Sequence, residues 1–459
     1  MEQPLTILEN LQNHPHHDWL IINDHQQDQK NEFYQIATEL YLQLIDISKK
    51  TAPPKIILAE RKPIRFLASF VAACAAKCPV FLCNPDWGEQ EWEQVLNLVQ
   101  PNLIWGFDNN YPLPITHYPL PFTNTIMIPT GGSSGKIKFT IHTWETLTAS
   151  VAGFTEYFQL NTVNSFCTLP LYHVSGLMQF IRSFTTGGKL VISSLKTLDL
   201  VSISHLNITD FFISLVPTQL QRLLESSELI TWLSQFKTVL LGGAPAWPEL
   251  LETARFHQIK LAPTYGMTET ASQIATLKPE EFLQGKMNSG RTLPHAKITI
   301  DHSTSNIRIE TKSLALGYYP DLWKTPHQLL VDDIGFLDQE EYLHIIGRSS
   351  NKIISGGENI YPEEIEAVIR QTNLVIDVCV IGVTDQNWGQ VLTAIYIPQN
   401  TKISSGEIAN QLQHKLTKFK IPKYWISLAN LPRNSQGKIN RPQLHQIAQD
   451  FLNNLSVKT

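Results

Sequence analysis

The feature that most limits how this chain can fold is a rhythm. From about residue 56 to 330, short apolar runs recur between helical patterns: "KIILAE", "NLIWGF", "NTIMIP", "SFCTLPL", "KLVISS", "ITDFFISLVP" and "TVLLGG". Short continuous apolar runs bounded by turn-formers read as strands buried on both faces, and the helices between them cover such sheets. This alternation specifies an α/β protein. The most apolar stretch, "FLASFVAACAAKCPVFL" at 66–82, is broken by Lys77 and is shorter than the ~20 residues of a membrane-spanning helix. It reads as a buried helix followed by a strand. Residues 1–50, rich in Gln, Asn and His, read as mostly helical, and "TAPP" at 51–54 reads as a break.

The pattern changes after residue 303. "SNIRIETKSLALGYY" and "EEYLHIIG" carry hairpin-forming β sequence. Beyond Arg348 the chain reads as a small α+β unit. "PEEIEAVIRQ" is a helix with Pro362 near its first turn and acids at its start. "LVIDVCVIGV" and "VLTAIYIP" are strands, and "SGEIANQLQHKLTKF" is a second helix. The small polar residues of "GRSSNK" at 347–352 divide the chain into units 1–347 and 348–459.

Composition removes several classes of function. A net charge of −5 over 459 residues supports neither a nucleic-acid coat nor a polybasic membrane patch. No segment requires a membrane, and the N-terminus lacks the basic and apolar regions of a secretory signal. Five cysteines form no C-x-x-C pair and lie in apolar sequence, which suits buried, reduced thiols in a cytoplasmic protein. The oligomeric state is left open, a homo-oligomer included.

Against this background "IMIPTGGSSGKIKF" at 126–139 is conspicuous. Glycines let a backbone approach a ligand closely, and successive N–H groups in such a turn form an anion nest. Thr130, Ser133 and Ser134 add hydroxyls, and Lys136 and Lys138 add charge. The loop is neither a Walker A site nor G-x-G-x-x-G: Thr130 stands where the first glycine belongs and Ile137 follows Lys136. Taken alone it fits a phosphate cradle, a plain surface loop or a nucleophilic serine, although the following "KIKFTIHTW" reads as an amphipathic strand rather than a buried helix. A second segment, "APTYGMTETASQ" at 262–273, offers an aromatic, a hydroxyl and a carboxylate for a base, a phosphate and a magnesium ion. Its bland alternative is a helix start capped by Thr268. "VDDIGFLDQEEYLHIIGRSSNKIISGGENIYPEEIE" adds Asp333, Arg348 and a second glycine pair, and "LPRNSQGKINR" adds Lys438.

In this order the motifs resemble the adenylate-forming superfamily of acyl- and aryl-CoA ligases, adenylation domains and luciferases, over roughly residues 60–459. The wording "YGMTETASQ", "LYHVSGL", "VPTQLQRLL" and "LGGAP" is most like the o-succinylbenzoate–CoA ligase branch. The resemblance implies a large N-terminal region of two α/β subdomains plus a small β-barrel, followed by a small mobile α+β cap. It implies a carboxylic acid, ATP, Mg2+ and coenzyme A as the small-molecule partners. Other acyl-CoA ligases, and acyl-AMP ligases that serve a carrier protein, share the pattern.

Roles follow from the same resemblance. Thr130, Gly131, Gly132, Ser133, Ser134, Gly135 and Lys138 would hold the β- and γ-phosphates. Gly243, Ala244 and Pro245 would line the adenine site with Tyr265, Gly266 and Met267. Thr268 would bond the α-phosphate, Glu269 would carry Mg2+, Asp333 would take the ribose hydroxyls and Arg348 would contact ribose or phosphate. Lys438 would carry the adenylation step, and Gly356 and Gly357 of "SGGEN" would line the pantetheine tunnel. His173, Ser272 and Gln273 would border the acid. Arg182 is a candidate for a second substrate carboxylate, with a helix-surface arginine as its alternative. Two departures from the family pattern stand out: Ser349-Ser350-Asn351 replaces the usual charged hinge, and Val331-Asp332-Asp333 replaces "TGD".

Overall fold

The computed structural model describes residues 19–22, 29–50, 52–106, 122–131, 137–196, 206–356, 358–385, 388–413, 415–433 and 439–456, with 198, 200, 201, 203 and 204. The alternating apolar runs build two large sheets. One has eight strands in the order Leu20–Ile22, Leu190–Ile192, Asn164–Cys167, Phe211–Leu215, Thr238–Leu241, Leu261–Gly266, Gln273–Thr276 and Arg291–Thr292. Its first six strands are parallel, Gln273–Thr276 pairs antiparallel to Leu261–Gly266, and Arg291–Thr292 pairs antiparallel to Gln273–Thr276. The other has seven strands in the order Asp321–Leu322, Gly317–Tyr318, Ile137–His142, Ile126–Gly131, Val80–Leu82, Ile56–Leu58 and Leu103–Trp105.

Helices Pro63–Ala75 and Val174–Thr186 bury eleven and nine residues respectively and contribute to the same core. They meet through Phe70 and Phe180, whose rings stand edge to face at 6.3 Å. Each such fully buried aromatic contributes about 1.5–3 kcal/mol, so this contact binds the two α/β layers to each other. The 66–82 stretch is a buried helix followed by a strand, as read. The mostly helical reading of 1–50 holds for Gln29–Lys50 but misses the edge strand Leu20–Ile22, whose three residues pair with Leu190–Ile192. Residues 1–18 and 23–28 lie outside the described residues.

"KIKFTIHTW" is a strand but not an amphipathic one. Phe139, Thr140, Ile141 and His142 are all buried because the strand lies inside the seven-stranded sheet, between Ile126–Gly131 and Gly317–Tyr318. Alternation is lost when both faces of a strand are covered.

The small barrel implied by the resemblance is a half-barrel, an open path of four antiparallel strands: Ala296–Ile300, Asn306–Thr311, Gln328–Leu337 and Leu343–Arg348. A fourth sheet follows, of Glu358–Ile360, Ile353–Ser355, Gly389–Pro398 and Val375–Asp385, with Tyr424–Ser427 paired parallel to Gly389–Pro398. Helix Pro362–Arg370 starts with Pro362 in its first turn and covers this sheet with Ile365 and Ile369. The second helix is shorter than expected. Ser404 caps it at Glu407, it ends at Leu412, and Lys418–Lys420 forms a separate 3-10 turn. All five cysteines are buried free thiols.

Candidate active site

Strands Thr238–Leu241 and Leu261–Gly266 are parallel neighbours. The turn at 242–245 and the turn after Gly266 therefore leave side by side from the carboxyl edge of one sheet, where α/β folds bind ligands. Gly243, Ala244 and Pro245 are exposed on the first turn. The second turn needs a glycine at its base, because a Cβ on Gly266 would lie 2.3 Å from the Ser272 carbonyl oxygen.

Thr268–Thr270 is a single 3-10 turn, so Thr268 caps no helix, contrary to the bland reading of this segment. Each of its carbonyls is tied to a different part of the chain. His142 Nε2 donates to Thr268 O at 2.8 Å, Ala315 N to Glu269 O at 2.8 Å and Ser313 Oγ to Thr270 O at 3.0 Å. Thr270 Oγ1 also donates to Ser272 O at 2.7 Å. These ties hold Ala271 at φ +62°, a conformation that costs a non-glycine residue about 1–3 kcal/mol.

His142 is wholly buried, with Nδ1 3.0 Å from Thr146 Oγ1. A carbonyl can only accept, so Nε2 must carry the proton. Burial pushes the imidazole down to about 4, opposed by the Thr268 carbonyl. It is therefore a neutral strut between the Ile137–His142 strand and the Thr268 turn. The sequence reading missed it: a histidine at the end of a strand read as amphipathic gave no signal of the contact with Thr268.

The same hairpin brings Thr130 and Lys138, which flank the glycine-rich stretch, towards the turn. Thr130 pairs with Lys138. The Lys138 ammonium lies 5.4 Å from the centre of the Tyr318 ring, and the Tyr318 hydroxyl donates to Glu269 Oε1 at 2.7 Å. Burial, followed by the Glu269 charge, pushes the Tyr318 phenol far up and keeps it a donor. Tyr318 was read only as part of a hairpin. Gly131 ends its strand, whereas Gly132, Ser133, Ser134 and Gly135 lie outside the described residues, as do Gly357 and Lys438. Gly356 bonds within its own sheet, its N–H donating to Trp388 O at 3.0 Å.

Asp333 and Arg348 are cross-strand partners in the half-barrel. Arg348 Nε donates to Asp333 Oδ1 at 2.9 Å, and the Tyr265 hydroxyl donates to Asp333 Oδ2 at 2.7 Å. Burial and the Asp333 charge push the Tyr265 phenol far up. The neighbouring acid has a different task. Asp332 is exposed and accepts from the backbone N of Ser350 at 3.0 Å and from the Ser350 hydroxyl. Structure thus separates two adjacent carboxylates that sequence could not.

His173 is half-buried just before helix Val174–Thr186. Arg182, nine residues on, is not a surface arginine. It is 3% exposed, and its NH2 group donates to Ser272 Oγ and Gln273 Oε1, both at 2.6 Å. The helix that carries it is buried almost all round, so no surface position was available there. Burial pushes the guanidinium down to about 9.

Among the described residues no group of three or more His, Cys, Asp or Glu side chains could hold a metal alone. A single carboxylate suits Mg2+, which keeps waters and phosphate oxygens as its remaining ligands. Glu269 fits that role, with Oε1 accepting from Tyr318 and its second oxygen left to ligate a cation.

Residues 112–319 match the AMP-binding enzyme family and residues 364–438 the AMP-binding enzyme C-terminal domain. The chain is 33% identical over 339 residues to a 2-succinylbenzoate–CoA ligase of Bacillus anthracis, covering 71% of this chain and 70% of that one. It is 36% identical over 326 residues to the Listeria monocytogenes ligase of the same name, covering 69% and 68%. Among solved structures, o-succinylbenzoate CoA synthetase of Bacillus subtilis bound to its acyl-adenylate intermediate superposes with a TM-score of 0.81 at 26% identity, covering 97% of this chain and 98% of that one. A double mutant of that synthetase bound to a product analogue gives 0.63, at the same identity and with 97% and 99% covered.

Proposed function

The chain belongs to the AMP-binding enzyme family, and from that premise we propose that it is an AMP-forming acid–thiol ligase converting 2-succinylbenzoate, ATP and coenzyme A into the acyl-CoA. A substrate carboxylate oxygen attacks the α-phosphorus of ATP, the bond to the β-phosphate breaks, and pyrophosphate leaves. The coenzyme A sulfur then attacks the acyl carbon, loses its proton and displaces AMP.

The observation that carries this reading is the meeting of two bonded groups at the Thr268 turn. One is Lys138, Tyr318 and Glu269; the other is Tyr265, Asp333 and Arg348. The first suits a triphosphate and the second a nucleoside. Phosphoryl transfer demands positioning and charge neutralisation more than covalent help, and Mg2+ bound with the triphosphate supplies part of that neutralisation.

Thr130, Gly131 to Gly135 and Lys138 hold the β- and γ-phosphates, Thr268 the α-phosphate, Glu269 the cation and Asp333 the ribose. Gly243 to Pro245 border the adenine, with Tyr265 held at its place by the bond to Asp333. Lys438 bridges the attacking carboxylate and the α-phosphate. Gly356 and Gly357 belong to the thioester step. His173, Ser272 and Gln273 border the acid, and the buried charge of Arg182 faces its second carboxylate. Supporting this last assignment, no acidic side chain forms an ion pair with Arg182 among the described residues, and an uncompensated buried charge is costly.

The division into 1–347 and 348–459 belongs to the same proposal, supported by the change of sheet beyond Arg348. So does a cytoplasmic location, supported by five reduced thiols and by the absence, among the described residues, of a helix long and apolar enough to cross a membrane.

The test supplies ATP, Mg2+, coenzyme A and 2-succinylbenzoate. AMP and thioester should appear in equal amounts, and pyrophosphate release across a panel of aromatic and fatty acids should favour the diacid. AMP without thioester would indicate transfer to a carrier protein instead. No acid-dependent pyrophosphate would overturn the reading.

A further inference from the structure

Four buried polar atoms beside the acid position have no hydrogen-bond partner among the described residues: Arg182 Nε, Gln273 Nε2 and both ring nitrogens of His295. Native interiors rarely leave such atoms unpaired, and each costs about 1–3 kcal/mol if nothing reaches it. They come from three separate parts of the chain: helix Val174–Thr186, strand Gln273–Thr276, and the residue preceding strand Ala296–Ile300.

His295 has a prepared seat. A Cβ on Gly153, in helix Trp144–Phe158, would lie 1.8 Å from His295 Nδ1, so only glycine admits the imidazole there. The next residue, Phe154, carries the Arg182 guanidinium over its ring at 4.2 Å. Consecutive residues of one helix thus hold the imidazole and the guanidinium as neighbours. Burial, helped by the Arg182 charge, pushes His295 down to about 4 and keeps it neutral. A neutral imidazole offers one N–H donor. Thr311 Oγ1 donates to the His295 carbonyl at 3.0 Å and fixes the backbone beneath it.

We propose that His295 determines substrate specificity by donating a ring N–H to the second carboxylate of the acid, alongside Arg182 and Gln273. The inference rests on the reading above that the substrate is a diacid.

The experiment compares the parent enzyme, His295→Leu and His295→Gln on three acids. These are 2-succinylbenzoate and its two single-carboxylate truncations, 4-oxo-4-phenylbutyrate and 2-butanoylbenzoate. The leucine variant should raise the KM of the diacid about 10-fold or more, while kcat stays within about twofold and the KM of the truncated acid that is still adenylated, which lacks the second carboxylate, is unmoved. The glutamine variant, which keeps an N–H donor, should recover most of the loss. Equal KM increases for the diacid and the truncated acid that is still adenylated, or no recovery with glutamine, would overturn the role of His295. A parent enzyme that handles a truncated acid as well as the diacid would instead overturn the substrate reading. Should the leucine variant fail to fold, His295→Ala, which cannot clash at Gly153, gives the same comparison.

Discussion

Replacing His142 with glutamine should change how stability depends on pH. In the folded chain the imidazole titrates at about 4 because it is buried, whereas in the unfolded chain it titrates near 6.5. Between these values the unfolded chain binds the extra proton, so stability falls as pH falls. The slope is about 1.4 kcal/mol per pH unit for one proton, and the total loss by pH 4 is roughly 3 kcal/mol. Glutamine has no proton to take up but can still donate an N–H to Thr268 O. At pH 7.5 the parent should be the more stable by about 1–2 kcal/mol, the value of the lost contact with Thr146. That advantage should shrink on acidification and vanish before pH 5. Urea denaturation of both proteins from pH 7.5 to 5 measures the gap directly. His295 also titrates low when folded, but it is common to both proteins and cancels. A gap that stays constant across the range would show that His142 is not held neutral, and the strut argument would fail.

Lys438→Ala should slow adenylation by orders of magnitude yet spare thioester formation from preformed acyl-adenylate; equal loss in both half-reactions would refute its assignment to the first. Tyr265→Phe should raise the KM for ATP about 2- to 10-fold through the lost bond to Asp333, with little change in the KM for the acid. Parallel increases for both substrates would place Tyr265 away from the nucleotide.

The strands and their order of burial were legible because parallel strands must be apolar on both faces. The segments that carry Thr130, Thr268, Asp333 and Arg348 were singled out because each combines residue types with an evident chemistry, but the bond from Arg348 to Asp333 was not foreseen. Other residues were hidden for a common reason: their roles arise from contacts between distant segments. His142 reaches Thr268 across 126 positions and Tyr318 reaches Glu269 across 49. Arg182 looked like a surface residue because one charge in an apolar helix is usually solvated, and only the packed helix shows that no solvent is there. The exposure of Lys138 was readable, but the burial of Phe139 to His142 on both faces was not, since it depends on the neighbouring strands.

The half-barrel hairpin holds a further consequence. Arg348 is clasped to Asp333, and Ser350, two residues on, is anchored to Asp332. Under the proposed assignments, the ribose ligand and the start of the C-terminal unit therefore sit on one hairpin. A substitution that loosens the Asp333–Arg348 clasp would then act on nucleotide affinity and on the segment beyond Asn351 together.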